Sequence, residues 1–303
     1  MNQQENNVEN PWHSYWHYRP KENFPPKAIR FKSEYQGESR LSLSITQTDL
    51  PSKKQRDLVR EWCDILPTLS TIRTLWFHSK VTQELFEAVC RMPKLEGLYI
   101  KWSCINDLAP ISALSNLTRL HIGGAPSAAS IEALCNLKNL VDLELENVTA
   151  AKNLSFLEQL PQLKSLELSG DSNSLKSLRI ETLRPVSKLA ELEKLSIFTA
   201  TVDDESLEPI GELPKLKYLF LSNQFKMEEY AKLAGKLHSV TCDRFSPIDA
   251  PVSWTQCKKC GQSTMILLTG KRMPFLCQEC DSARIQRHIE KFQEAMQTSA
   301  KAK

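Results

Sequence analysis

Leucine and other apolar residues recur along the middle of the chain in the pattern LxxLxL, where x is mostly polar. The last three positions alternate apolar, polar and apolar, which predicts a short strand with one buried face. Copies start at spacings of 21 to 29 residues, and the last copy is degenerate. They begin at Ile72, Leu95, Leu117, Leu140, Leu163, Leu192, Leu216 and Leu237.

A second apolar series precedes each strand at three-residue steps, as in Leu108, Ile111 and Leu114 before the third copy. Steps of three suit a short helix or a 3₁₀ turn. Each repeat is therefore predicted to be one strand and one return segment. Neither part buries its apolar side alone, so stacked neighbours make a continuous core. The longest repeat carries an insertion around 171–174, which is predicted to form a protruding loop.

Two fragments, LAPISALSNLTRLHI and LSFLEQLPQLKSLEL, show the repeat most clearly. They resemble leucine-rich repeats in the 22-residue form of the bacterial internalins, and the resemblance covers residues 60–245. It implies an α/β repeat solenoid, with a parallel sheet on the concave face and short helices or 3₁₀ turns on the convex face. In a bacterial setting it suggests a recognition subunit or a toxin-neutralising immunity protein.

Terminal repeats need caps over their apolar faces, so capping segments are predicted on both sides of the repeats. In all, the chain is predicted to divide into five segments. The stretch PWHSYWHYRP at 11–20 is predicted to fold back on the N-terminal cap; an exposed partner-binding tag is the alternative. The segments are an aromatic-rich N-terminal stretch (1–28), a hairpin and cap helix (29–71), the leucine-rich repeats (72–245), a zinc ribbon (246–282), and a C-terminal helix and tail (283–303).

Side chains between the strand leucines point away from the core, because strand side chains alternate. Such positions predict the partner-binding surface of a protein–protein interaction scaffold. A merely solvated face would explain the charges, but exposed aromatic residues concentrate at binding hot spots. The predicted partner-binding residues are Trp76, His78, Tyr99, Lys101, Arg119, His121, Asp142, Glu144, Glu167, Phe198, Tyr218 and Phe220.

Four cysteines near the C-terminus form two CxxC pairs, Cys257 with Cys260 and Cys277 with Cys280. This spacing is typical of zinc sites. Four thiolates hold one Zn²⁺ tetrahedrally and leave no open position, so the site is predicted to be structural. Free thiols and an iron–sulfur centre are the alternatives.

The ribbon also supports a second function, in which it contacts DNA or RNA while the repeats recruit a partner. Lys258, Lys259, Lys271 and Arg272 supply positive charge there. The net charge of the whole chain is only +3, which gives no strong electrostatic argument for nucleic acid. Protein binding is therefore the first prediction.

Catalytic motifs are missing from the sequence: HExxH, GxSxG and the glycine-rich phosphate loops do not occur. The N-terminus, MNQQENNVEN, lacks the basic and apolar regions of a signal peptide. The chain is therefore predicted to be non-enzymatic, cytoplasmic and without a membrane partner.

Overall fold

The computed structural model describes residues 16–171, 174, 176–252 and 254–300. These residues form two compact units. The first extends to Ala150 and includes Gln162–Glu167. The second comprises Ala151–Pro161 and the chain from Leu168 onward.

Parallel strands in chain order build the first unit. They are β1 (Arg40–Leu43), β2 (Thr74–Phe77), β3 (Gly97–Ile100), β4 (Arg119–Gly123) and β5 (Asp142–Glu146), and each pairs with the next. The middle leucine of each repeat strand is fully buried, as the LxxLxL pattern predicts. These leucines are Leu75, Leu98, Leu120 and Leu143.

Helical segments return the chain between these strands. Helices α1 (Ser52–Ile65) and α2 (Gln83–Cys90) are α-helical, and α2 begins where the Thr82 hydroxyl accepts a hydrogen bond from Leu85 N–H. The next two returns are 3₁₀ segments, Ala109–Ala113 and Glu132–Asn136. The three-residue apolar steps therefore predicted most returns correctly.

The hairpin predicted within 29–71 does not form. Ile29 bridges Leu43 in parallel, and β1 pairs in parallel with β2. Parallel pairing needs a crossover rather than a tight turn. A 3₁₀ turn at Lys32–Glu34 lies within this crossover, and the Glu34 carboxylate accepts hydrogen bonds from the N–H groups of Arg30 and Phe31.

Strands in the second unit form more pairings than the repeat pattern predicts. Strand β6 (Ser165–Ser169) ends in this unit. Strands β8 (Lys194–Phe198) and β10 (Tyr218–Leu221) pair in parallel. A separate parallel pair, which was not predicted, joins β7 (Leu178–Ile180) to β9 (Ala200–Val202).

The predicted insertion loop and the eighth repeat are described in part. Asp171 and Lys176 form an antiparallel bridge, while Ser172 and Asn173 lie outside the described residues. The degenerate eighth copy contributes only a bridge between Tyr218 and Thr241.

The C-terminal part of the second unit combines two helices with a small hairpin. Helix α3 (Met227–Lys236) packs against α4 (Ser282–Ala300). Strands β11 (Met265–Leu267) and β12 (Phe275–Cys277) form an antiparallel pair, and both lie between α3 and α4 in the sequence.

The predicted leucine-rich repeat fold, with parallel strands and short helical returns, is confirmed. No helix among the described residues has both the length and the hydrophobicity to cross a bilayer.

Replacing Gly123 by alanine is expected to lower the free energy of unfolding by about 2–4 kcal/mol. A Cβ at Gly123 would lie 2.1 Å from the backbone oxygen of Lys101, which directly follows the neighbouring strand β3. Backbone cannot move aside as a side-chain end can. Chemical denaturation measures the loss, with Gly211→Ala as control, since a Cβ there would first meet the flexible Lys236 side chain. Equal small losses in both variants would contradict the prediction.

Candidate functional site

Four predicted partner-binding residues form one row across the first unit. The strand register places Trp76 beside Tyr99, Tyr99 beside His121, and His121 beside Glu144. We call this row the inner row; its side chains point away from the leucine core. The Tyr99 and His121 rings stack with centroids 4.5 Å apart. The strand register thus brings these four residues together.

The inner row is covered. Trp76 is 1% exposed and Tyr99 7% exposed, because the segment Trp16–Tyr18 lies on them. The Trp16 ring lies 6.4 Å from that of Trp76, and the His17 ring lies 4.3 Å from that of Tyr99. The described end of the aromatic stretch therefore lies on the sheet, whereas the sequence placed the stretch on the cap. Pro11 to Tyr15 lie outside the described residues.

Gly97 makes room for this segment. It holds an outward position on β3, and a Cβ there would lie 3.4 Å from the Trp16 ring and 2.9 Å from the Thr74 methyl carbon. A larger side chain would occupy the space that Trp16 fills. The glycine in an outward strand position is thus matched to the tryptophan that covers it.

His17, which belongs to the covering segment, lies close to His121 and Glu144 on the sheet. His121 Nδ1 lies 2.8 Å and His17 Nδ1 3.6 Å from Glu144 Oε2. Burial lowers the pKa of His17 to about 2 and that of His121 to about 4. Burial, reinforced by Asp142 and Glu146, raises the pKa of Glu144, and a hydrogen bond from the Trp16 backbone opposes that rise.

Sequence reasoning missed His17 as a member of this cluster. The available signal was a histidine inside a dense aromatic stretch, at 11–20. That stretch has no repeat period, so nothing local places it on β4 and β5. Only the folded chain brings His17 to His121.

The remaining predicted binding residues of the first unit are more accessible. Lys101 and Arg119 are exposed, while His78, Asp142 and Glu167 are half-buried. Arg119 Nε lies 3.4 Å from an Asp142 carboxylate oxygen. Burial and the neighbouring Glu144 and Glu146 raise the pKa of Glu167 to about 8. This part of the face combines opposite charges with a carboxylic acid held partly protonated near neutral pH.

Three aromatic candidates lie together in the second unit. Phe198, Tyr218 and Phe220 are half-buried on β8 and β10. The Phe198 and Phe220 rings meet edge-on at 5.9 Å, and the Lys194 ammonium lies 5.9 Å from the centre of the Tyr218 ring. The structure thus gathers a partly exposed aromatic cluster with an adjacent cation.

The four cysteines also come together. Cys257 Sγ lies 3.9 Å from Cys280 Sγ, and Cys260 Sγ lies 3.7 Å from Cys277 Sγ. A tetrahedron with Zn–S bonds of about 2.3 Å has edges of about 3.8 Å, whereas a disulfide bond is about 2.05 Å long. The cluster can hold a metal ion.

Polar groups of Lys259 and Thr264 contact two of the four sulfur atoms. Lys259 N–H lies 3.4 Å from Cys257 Sγ, and the Thr264 hydroxyl lies 3.3 Å from Cys277 Sγ. The Thr264 hydrogen bond lowers the pKa of the Cys277 thiol. The Asp281 carboxylate accepts a hydrogen bond from the Cys277 backbone N–H. Thr264 and Asp281 thus hold the side chain and the backbone of Cys277.

Asn223 fastens the cysteine module (residues 246–282) to the seventh repeat within the second unit. Its side-chain amide donates to Leu268 O at 3.0 Å and accepts from Gly270 N at 2.6 Å. Lys271 N donates to Phe225 O nearby at 2.6 Å. These bonds pair backbone groups of the module with the residues that follow β10.

Ion pairs involve two of the four basic ribbon residues. Lys259 Nζ lies 3.0 Å from an Asp281 carboxylate oxygen, and Lys271 Nζ lies 2.6 Å from one of Glu205. Lys258 and Arg272 are exposed. The positive charge available to a phosphate backbone is therefore smaller than the sequence suggests.

Comparison with known proteins gives partial matches. No family model matches the chain. Acidic leucine-rich nuclear phosphoprotein 32 family member A from Drosophila pseudoobscura pseudoobscura is 31% identical over 140 residues, covering 45% of this chain and 47% of that protein. A putative adenylate cyclase regulatory protein from Trypanosoma equiperdum is 30% identical over 154 residues, covering 48% of this chain and 24% of that protein. The chain thus spans less than half the length of these two relatives.

One similar solved structure is internalin C2 from Listeria monocytogenes. It is 23% identical, and the alignment covers 61% of this chain and 79% of that one with a TM-score of 0.46.

Proposed function

Because the chain is a leucine-rich repeat protein, we propose that it is a non-enzymatic scaffold that binds another protein on the outward faces of its repeat strands. Repeat solenoids offer extended surfaces of this kind. The residues assigned to binding are the predicted set, from Trp76 to Phe220. A bacterial recognition subunit and a toxin-neutralising immunity protein are the two roles proposed within this class.

The observation that carries the proposal is the position of Trp16–Tyr18. A short aromatic peptide lies on the inner row, with Trp16 and His17 buried against Trp76 and Tyr99. A face that accommodates its own aromatic segment has the shape and chemistry to accommodate a similar segment of a partner. Trp76, Tyr99, His121 and Glu144 contact a partner only when Trp16–Tyr18 leaves them.

The aromatic cluster of the second unit binds without such a displacement. Phe198, Tyr218 and Phe220 are partly exposed, and interface hot spots are enriched in aromatic residues. We assign them the first contact with the partner.

Replacing Phe198 and Phe220 together by alanine is expected to weaken partner binding by about 30-fold or more, because a hot-spot residue contributes about 2 kcal/mol or more. The full chain is used to capture the partner by crosslinking in the source cells. Titration calorimetry with the purified partner then gives the dissociation constants. The control is Trp254→Ala, which removes an aromatic ring that is 73% exposed and lies in the cysteine module.

Unchanged affinity in the double variant would refute the assignment of these phenylalanines. Loss of binding on replacing Lys258, Lys259, Lys271 and Arg272, with the aromatic variants unaffected, would favour the nucleic-acid function. A salt-dependent gel shift by the full chain would then identify that ligand.

We further propose Zn²⁺ as the ion of the four-cysteine site and residues 246–282 as a zinc ribbon. Four thiolates favour zinc and leave no position for a substrate, so its role is structural. The hydrogen bonds of Asn223 support a cap at the C-terminal end of the repeats. The nine cysteines, all among the described residues, form no disulfide, which suits a reducing compartment such as the cytoplasm.

A further inference from the structure

A second cluster of metal-ligating side chains lies in the first unit, apart from the four cysteines. It consists of His17, His121 and Glu144, and one ligand atom from each lies within 4.8 Å of the others. All three side chains are buried. Two imidazoles and one carboxylate form a ligand set that zinc accepts, and imidazole also suits copper, iron and nickel.

The distances fit a metal ion closely. Bonds of about 2.0–2.1 Å in a tetrahedral site place neighbouring ligand atoms about 3.3 Å apart. His17 Nδ1 lies 3.6 Å and His121 Nδ1 2.8 Å from Glu144 Oε2, on either side of that value. Changes of about 0.3 Å and 0.5 Å would bring these two distances to that value.

Electrostatics also favour a cation at this position. A buried carboxylate is costly unless positive charge lies beside it. A neutral imidazole is the form of histidine that binds a metal. A divalent ion at the three atoms would compensate Glu144 without protonating either histidine.

We propose that His17, His121 and Glu144 bind a divalent transition-metal ion, best matched by Zn²⁺, which fastens Trp16–Tyr18 to the inner row. His121 and Glu144 come from adjacent strands, β4 and β5, and form a fixed pair of ligands. His17 comes from the covering segment and completes the set. The ion replaces the proton between His121 Nδ1 and Glu144 Oε2, and that proton is released to solvent on binding. The proposal does not depend on the identity or existence of a protein partner.

The test adds Co²⁺ to the full chain after its cysteine site has been filled with one equivalent of zinc. We expect one equivalent of Co²⁺ to bind and to give visible d–d bands without a thiolate charge-transfer band. His17→Ala and Glu144→Gln are each expected to weaken this binding at least about 100-fold, since even an outer-sphere partner contributes 10–100-fold. His78→Gln is the matched control, because His78 lies on the same face outside the cluster.

A second readout is hydrogen exchange of Trp16–Tyr18 in the zinc-loaded chain. Added metal is expected to slow exchange there in the wild type and in His78→Gln, but not in His17→Ala. His17 lies in the covering segment, so its loss leaves the repeats folded. No binding of Co²⁺, or binding that survives both ligand substitutions, would overturn the proposal. A charge-transfer band would place the cobalt on cysteine and overturn it equally.

Discussion

Replacing Cys277 by serine is expected to unfold the cysteine module (residues 246–282) while the repeats before it stay folded. The module has a small core of three buried residues, Ile266, Leu268 and Leu276, which pack with Ile285 of α4. A core of that size cannot hold a domain by itself, and small domains depend on metals or disulfides for this reason. Structural zinc contributes about 10–16 kcal/mol of apparent binding free energy in zinc-finger peptides, so its loss exceeds what the core supplies.

Hydrogen exchange measured along the chain checks this expectation, together with zinc content by mass spectrometry. Cys277→Ser should lose one equivalent of zinc and the protection of β11 and β12, and a chelator should reproduce both effects in the wild type. The control is Cys104→Ser, because Cys104 is an exposed thiol outside the cluster. Full protection of β11 and β12 in Cys277→Ser, or an unchanged melting temperature, would show that the metal is not needed for the fold.

Replacing Trp76 by alanine is expected to lower the free energy of unfolding of the first unit by about 3–5 kcal/mol, the usual cost of removing a large buried aromatic side chain. Trp76 is 1% exposed and packs against Trp16. The Arg40 guanidinium lies over the same ring, 5.1 Å from its centre, and also donates hydrogen bonds to the backbone oxygens of Glu22 and Phe24. The ring therefore anchors the N-terminal segment as well as β2.

Urea denaturation with a probe in the first unit measures this loss. The matched control is Trp102→Ala, because Trp102 lies in the same unit and is 46% exposed; its loss should change stability by less than about 0.5 kcal/mol. Equal small effects in both variants would mean that Trp76 lies on an open surface. The prediction that Trp76 contacts a partner directly would then be strengthened.

Strand leucines illustrate why so much of the fold could be predicted. Leu98 and Leu120 are buried because their local pattern leaves one apolar face per strand, and the same pattern recurs in every repeat. The four cysteines are similar, because their ligand chemistry and spacing predict a metal site before any fold is known. The leucine-rich repeat architecture and the gathering of the four thiols agree with the sequence predictions.

The covering of the inner row could not be predicted in the same way. The pattern correctly gives Trp76 and Tyr99 an outward direction, but direction does not determine exposure. Exposure depends on whether another part of the chain lies on the same surface. Trp16 and His17 belong to no repeat, so their position follows from ring packing and from the space at Gly97.

The sequence by itself determined the repeat, the direction of each strand side chain and the four cysteines as a candidate metal site, because these depend on local periodicity and ligand chemistry. Only the tertiary structure decided the parallel pairing of β1, the extra pair β7 and β9, and the meeting of His17 with His121 and Glu144. Each of these arises between segments that share no period, where long-range packing chooses among many locally equivalent arrangements.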